Sequence, residues 1–514
     1  MMKIKNAFRT LACAIAVFLP LLLMLPIFSC GNVAEDESVE SPSGRPGTGN
    51  GAAEITDAPN ALTADKLLPK LDGRDFGGYE FHFFVRGEHA AEWQSKDIHA
   101  EEENGDPIND AIYRRNINIE DRYGITIKEI RSTDATEAAA AVKRTIDSGD
   151  TPYDALSYHF SKLSSLIDGG YLLNLYEVPN LDLGAPWWDK AAERDLSLNH
   201  KLYATTGDIG ILPASGSYIL LFNKKLVADY GFEDPYLLVA ENKWTLDKMT
   251  QMVRQVSKDL DGDGAPGPGD LYGMVCMGNN ISMMYHGAGQ NVVEKDDNDL
   301  PKLVVDTPRS IMALERTLEL LSDKHTVLLS NEWSAGATGG LTGPALIQNI
   351  FEENRALFMG EVLQLVARMR ASDVDFGILP HPKLDESQDK YYSKASHNAS
   401  SMICIPVTNP DPERTGFVLE ALCAESMYTL TPAFYDITLE GKYLRDQESS
   451  AMLDIILRNR MFAIDQMYDW GMIAAINGLY EKRGTTAIVS TIERAKPAVQ
   501  ARMDKTIEVH SNSN

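Results

Sequence analysis

Asp259, Asp261 and Asp263 alternate along the chain and are followed by Gly264 and Asp270. In a calcium loop these are positions one, three, five, six and twelve: carboxylates where oxygen ligands are needed, and glycine at the sharp turn. The Ala265 carbonyl would fill position seven. Position twelve is Asp rather than Glu, which shortens its reach, and Pro266 and Pro268 stiffen the loop. Residues 271–277 read as a strand instead of an exiting helix. The spacing therefore predicts a structural Ca2+ loop, not an EF-hand switch, with a solvated acidic turn as the alternative reading. Other reactive patterns are missing from the sequence: it has no HExxH, no GxSxG and no zinc-spaced Cys/His cluster. No pair of carboxylates stands out in a shared apolar setting, so no enzyme activity and no required cofactor are predicted. A surface glycoside hydrolase working through two carboxylates is the competing enzyme reading.

Cys30 carries a different chemistry. Lys3, Lys5 and Arg9 form a charged head, residues 11–29 bear no charge, and the stretch ends Ile27-Phe28-Ser29-Cys30. This resembles the bacterial lipoprotein signal, in which the cysteine is lipidated and becomes the new N-terminus. The resemblance implies export, cleavage that removes residues 1–29, and a body held at the extracytoplasmic face of the cell membrane by its lipid anchor. Two or more acyl chains suffice for stable anchoring, where one is marginal. The alternative is an uncleaved spanning helix, which Pro20 and Pro26 would interrupt.

The chain has 514 residues and a formal net charge of -26. Loss of the leader would remove only positive charges. So acidic a body is repelled by nucleic acid and anionic headgroups, which argues against binding either. Its length is too great for one core and predicts two domains or lobes. Cys276, Cys404 and Cys423 lie in apolar surroundings and are expected as buried free thiols, although one pair would be able to bridge.

These features need elements to position them. Residues 31–75 contain no aromatic residue and are rich in small and polar types, so residues 30–74 read as a disordered tether. Tyr79, Phe81, Phe83 and Val85 alternate as in a strand. Pro107 opens a helix with Ile108, Ala111, Ile112, Ile119 and Tyr123 at helical spacing. A strand over 125–130, a helix over 135–148 and a strand over 153–158 follow. Such βαβαβ alternation predicts a mostly parallel α/β sheet flanked by helices. A second α/β block begins with a strand at 219–223, a helix capped by Thr245 and a helix opening at Thr307-Pro308. Short strands at 355–358 and 374–379 return to the sheets, and residues 414–427, 449–459 and 485–506 read as helices.

Several motifs then occur in series: Asp106-Pro107-Ile108-Asn109-Asp110-Ala111-Ile112-Tyr113-Arg114-Arg115-Asn116, Pro186-Trp187-Trp188-Asp189, Gly207-Asp208-Ile209, Phe222-Asn223-Lys224-Lys225, Lys243-Trp244-Thr245-Leu246-Asp247, and Asp375-Phe376-Gly377-Ile378-Leu379-Pro380 with Pro382-Lys383. Together they resemble the extracellular solute-binding proteins of bacterial ABC importers, family 1, in the branch related to maltose-binding protein. The resemblance implies a two-lobe periplasmic-binding-protein-like fold of type II, with a hinge crossed more than once. Lobe 1 would comprise 75–210 and 374–428, and lobe 2 would comprise 211–373 and 429–506. The crossings would fall near Gly207 to Gly216, near Ser372 and near Tyr428, with Gly207, Gly210, Ser215, Gly216 and Ser217 absorbing the hinge motion. The resemblance also implies a carbohydrate ligand, ABC permease transmembrane subunits as partner, and a monomer. Peptide or another small polar solute is the alternative ligand, and an adhesin or signalling receptor the alternative role.

In such a protein the ligand lies between lobes at the carboxyl ends of strands. Trp93 follows the first strand and is a cleft candidate, or else a packing tryptophan. His159 ends the third strand. Asp208 and Ser217 stand in the expected hinge, where Asp208 either binds ligand hydroxyls or caps a turn. Tyr285 is expected on the second lobe's wall. Glu361 follows the strand at 355–358, with an internal ion pair as its alternative, and His397 faces the crossing back.

Overall fold

The computed structural model describes residues 66–512 apart from 88–92, 133–134 and 438–445. The leader, Cys30 and residues 30–65 of the expected tether lie outside the described residues. Residues 66–74 were expected to belong to the tether but pack against the body. Lys66 Nζ lies 3.0 Å from Glu425, the Leu67 amide donates to Tyr428 Oη at 2.8 Å, and Arg74 pairs with Glu413 at 2.8 Å. Among the described residues no helix is long and apolar enough to cross a membrane.

Among the described residues fourteen strands occur: β1 Tyr79–Val85, β2 Ile125–Arg131, β3 Ala155–His159, β4 Tyr218–Asn223, β5 Ser257–Lys258, β6 Leu271–Cys276, β7 Val293–Lys295, β8 Pro301–Leu303, β9 Val327–Leu329, β10 Ala356–Val362, β11 Phe376–Leu379, β12 Ser393–Lys394, β13 Ser401–Cys404 and β14 Arg460–Met461. The first sheet has the order β13-β3-β1-β2. β1 pairs parallel with β2 from Tyr79↔Ile125 to Val85↔Arg131, and parallel with β3, while β13 closes the edge antiparallel to β3. The parallel βαβαβ expectation is met because helices Pro107–Tyr123 and Ala135–Ser148 supply the two crossovers. Asp106 caps the first of these, accepting the amides of Ile108 (3.0 Å) and Asn109 (3.3 Å), and Gly124 ends it at φ 59°.

The second sheet runs β11-β4-β10-β6-β5, with β9 also on β6. Its central strands are apolar on both faces. Ile219 and Leu221 face a cluster with Ile347, Phe351 and Met359, and Leu220 and Phe222 face the opposite cluster with Trp244 and Phe358. β11 pairs antiparallel with β4, Leu379 opposite Leu220. This corrects the expectation that residue 374 begins a return to the first lobe. A short buried run such as Phe376-Gly377-Ile378-Leu379 fits any internal strand, and its fully apolar neighbour β4 recruits it. The crossing back lies later, before β13 joins the first sheet at Ser401.

The chain passes from the first sheet to the second between Thr205 and Tyr218. Thr205 still bridges Ile403 in the first half, and β4 opens the second sheet at Tyr218. Gly207 is needed there for space. A Cβ would lie 2.3 Å from the Trp187 carbonyl oxygen and 2.7 Å from Cys423 Sγ. Fully buried Arg115 donates to the carbonyls of Asp97 (2.9 Å), Ile98 (2.7 Å) and Ile209 (3.4 Å) and to Ser426 Oγ (3.2 Å), tying the crossing to the helix Pro107–Tyr123. Cys276, Cys404 and Cys423 are buried and unbridged.

Candidate binding cleft

The carboxyl ends of β1 and β3 open onto a cavity of about 500 Å³. Arg86 is the first residue after β1, and Trp93 follows from the same connection. His159 ends β3, and the 3-10 turn Phe160–Lys162 carries Ser161 and Lys162 to the rim. His397 and Asn398 arrive from the segment that precedes β13. The opposite wall comes from the short helices Ile464–Met467 and Met472–Asn477 and the turn between them, through Asp465, Gln466, Asp469, Ile473 and Asn477. This is the position open α/β sheets give their ligands, and the volume suits a small molecule.

The groups differ in how far they are already committed. Arg86 is 5% exposed and donates through Nη1 to the Asn398 carbonyl at 3.0 Å. Trp93 packs against an apolar cluster of Tyr218, Met283, Val362 and Leu365, so a residue carried by the first sheet's edge touches the second sheet. Asp465 accepts the Ile473 amide at 3.3 Å and is buried beside Lys394. Burial pushes the Asp465 carboxyl up and the Lys394 ammonium down, and the charge of each opposes the shift of the other. His397 is pushed down to about 3 by burial, with Lys394 adding to the effect, so its ring is neutral near pH 7. Its Nδ1 and Gln466 Oε1 are buried without a hydrogen-bond partner. Asn477 spends its Oδ1 on the Ser282 amide at 3.0 Å. No hydrogen bond or ion pair engages Lys162 Nζ among the described residues. The cavity thus presents donors and acceptors that the fold itself does not satisfy.

A second cavity, about 540 Å³, lies on the other side of the connection after β1. Gln94, next in sequence to Trp93, lines it together with Asn109, Arg131, the first crossing at Ile211 and Leu212, Gln364 and Phe434.

Comparison with solved structures follows from this geometry. A cyclo/maltodextrin-binding protein complexed with maltotetraose matches with a TM-score of 0.55 at 13% identity, covering 83% of this chain and 97% of that one. A family 1 extracellular solute-binding protein from Bifidobacterium longum subsp. infantis matches with a TM-score of 0.50 at 13% identity, covering 84% and 99%. UgpB from Mycobacterium tuberculosis in complex with glycerophosphocholine matches with a TM-score of 0.50 at 14% identity, covering 84% and 99%. The chain has the solute-binding-protein fold. No family model and no curated protein matches the sequence.

Of the seven residues expected at the ligand, Trp93, His159 and His397 line the first cavity. The other four do not. Asp208 accepts a 2.7 Å hydrogen bond from Thr431 Oγ1, and burial raises its carboxyl to about 6. Ser217 is fully buried and donates to the Pro213 carbonyl. Tyr285 is fully buried, its hydroxyl donating to the Asn291 carbonyl at 2.8 Å. Glu361 accepts the Val362 amide at 2.9 Å and has no ion-pair partner among the described residues. Each was chosen by chain position, and each turns its polar group into packed structure instead.

Arg86, Lys162, Asp465 and Asp469 were missed. The signal for Lys162 was its place three residues after the end of β3, and for Asp465 and Asp469 their position just before buried Trp470. In the acidic loop, the exposed carboxylates of Asp259, Asp261 and Asp263 come within 4.8 Å of one another. Asp270, expected as the closing ligand with the Ala265 carbonyl nearby, accepts the amides of Leu260 (3.0 Å) and Gly267 (2.9 Å).

Proposed function

We propose that this chain is the substrate-binding lipoprotein of an ABC importer, capturing a carbohydrate between its two lobes and delivering it unchanged to a membrane permease. The observation that carries this reading is the cavity at the carboxyl ends of β1 and β3, faced by the helices Ile464–Met467 and Met472–Asn477 in a molecule with the solute-binding-protein fold, and lined by uncommitted polar groups around one tryptophan. Hydroxyl-rich ligands match such a lining, because they exchange hydrogen bonds with water for hydrogen bonds with fixed partners while a ring face stacks on an indole. A ligand touching both walls binds the closed arrangement better than the open one, and a preference of about 5.5 kcal/mol moves closure from rare to nearly complete. Acylation of Cys30 would hold the monomeric receptor at the outer face of the membrane.

A thermal-shift screen of the mature protein against sugars, peptides and glycerophosphodiesters tests the reading. A sugar present at about 100 times its dissociation constant is expected to add about 2.7 kcal/mol of stability and raise the melting temperature. A panel in which peptides raise it and no sugar does would overturn the carbohydrate assignment.

A further inference from the structure

We propose that the solute is a sugar bearing an anionic substituent, a carboxylate or a sulfate or phosphate ester, with Lys162 as its principal charge partner. The inference rests on the carbohydrate-receptor reading above and narrows it.

The cavity lining is less acidic than the molecule, with two cations beside two acids. The chain carries 74 acidic and 48 basic residues, yet the edge of the first sheet brings Arg86 and Lys162 to one cavity together with His159 and His397. The two acids on the facing wall do not cancel them. Asp465 is buried, holds the Ile473 amide and faces Lys394, so its charge is compensated behind the wall. Asp469 is exposed at the rim, where water screens it. What remains toward the interior is the Lys162 ammonium, with no hydrogen bond or ion pair among the described residues, and the buried His397 Nδ1 with no partner.

Lys162 is a half-buried residue, and a neutral sugar seated over its ammonium would displace water from the charge without replacing it, at a cost in desolvation. An anionic group placed between Lys162 and the His397 ring would satisfy both, through a charge-assisted hydrogen bond that is shorter and stronger than a neutral one. The aromatic lining gives the same indication. Among the described residues Trp93 is the one Trp, Tyr or Phe on the cavity wall, so stacking there supplies one broad platform and charge supplies further affinity. The chain's net charge of -26 repels anions at long range, so capture of an anionic solute requires local cations such as Arg86 and Lys162.

The test is calorimetric titration of the mature protein with di- and trigalacturonate, their neutral methyl esters, a sulfated disaccharide and a sugar phosphate, at low and high salt. The acid is expected to bind at least about tenfold tighter than its ester, with affinity falling as salt rises. Lys162→Gln is expected to lose about tenfold for the acid and nothing for the ester, and Lys162→Arg to retain most of the affinity. The preferred ester of the panel distinguishes carboxylate from sulfate or phosphate as the recognised group. An ester that binds as tightly as its acid, or an acid affinity unmoved in Lys162→Gln with its melting temperature intact, would overturn the inference and leave the carbohydrate reading standing. Binding by no sugar of either kind would overturn both.

Discussion

Glu361 shows how burial decides what a polar residue does. It closes the strand β10, its Oε1 takes the Val362 amide, and its Oε2 is buried without a partner. Burial raises its carboxyl to about 7. Between the ordinary carboxyl range and pH 7 the folded protein therefore holds a proton that the unfolded chain has released, so this group's contribution to stability is lost as pH rises through about 7. Glu361→Gln keeps the shape and removes the charge. It is expected to match the parent at pH 5 and to exceed it by about 2 kcal/mol at pH 8, read as the difference between denaturation midpoints at the two pH values. The sequence announces the type of such a residue and its place near a strand end, and nothing more. Trp93, His159 and His397 were legible because they follow or terminate segments whose ends define the cleft. Tyr285 and Ser217 carry the same surface chemistry, but their hydroxyls are spent on the nearby Asn291 and Pro213 carbonyls, which the local backbone path turns toward them.

At the scale of elements, periodicity and capping carried most of the reading. The alternation in β1, the proline after Asp106 and the Thr245 and Thr307 caps each mark an element whose boundaries the structure places within a few residues. Pairing is another matter, because strand partners are chosen by burial across the sheet. β11 is apolar throughout and joined β4, which no local pattern distinguishes from a return to the first sheet. The glycines of the first crossing were expected to serve backbone freedom. Gly207 instead marks a close approach, where a methyl would strike the Trp187 backbone carbonyl and the Cys423 sulfur. Gly207→Ala is expected to destabilise the protein by about 1–3 kcal/mol and lower its melting temperature, whereas Gly231→Ala, in open space but at φ 65°, isolates the cost of backbone strain alone.

At the scale of the whole molecule, two sheets are joined by a crossing at residues 207–217 and a later return before β13; the first sheet's strand ends form one wall of the cavity and the helices Ile464–Met467 and Met472–Asn477 the other. The knot at Arg115, which binds carbonyls of the connection after β1 and of the first crossing, makes those pieces one rigid support beneath Trp93. Closure would then bring the helices Ile464–Met467 and Met472–Asn477 toward a fixed edge. The proposed receptor role requires that the solute be held and returned intact. Native mass spectrometry of the mature protein, saturated with the sugar selected by the thermal screen and then denatured to recover it, tests that claim most directly. One ligand per chain, recovered at its starting mass after prolonged incubation, is the predicted result; a shortened or otherwise altered sugar, or no complex of fixed stoichiometry, would contradict it.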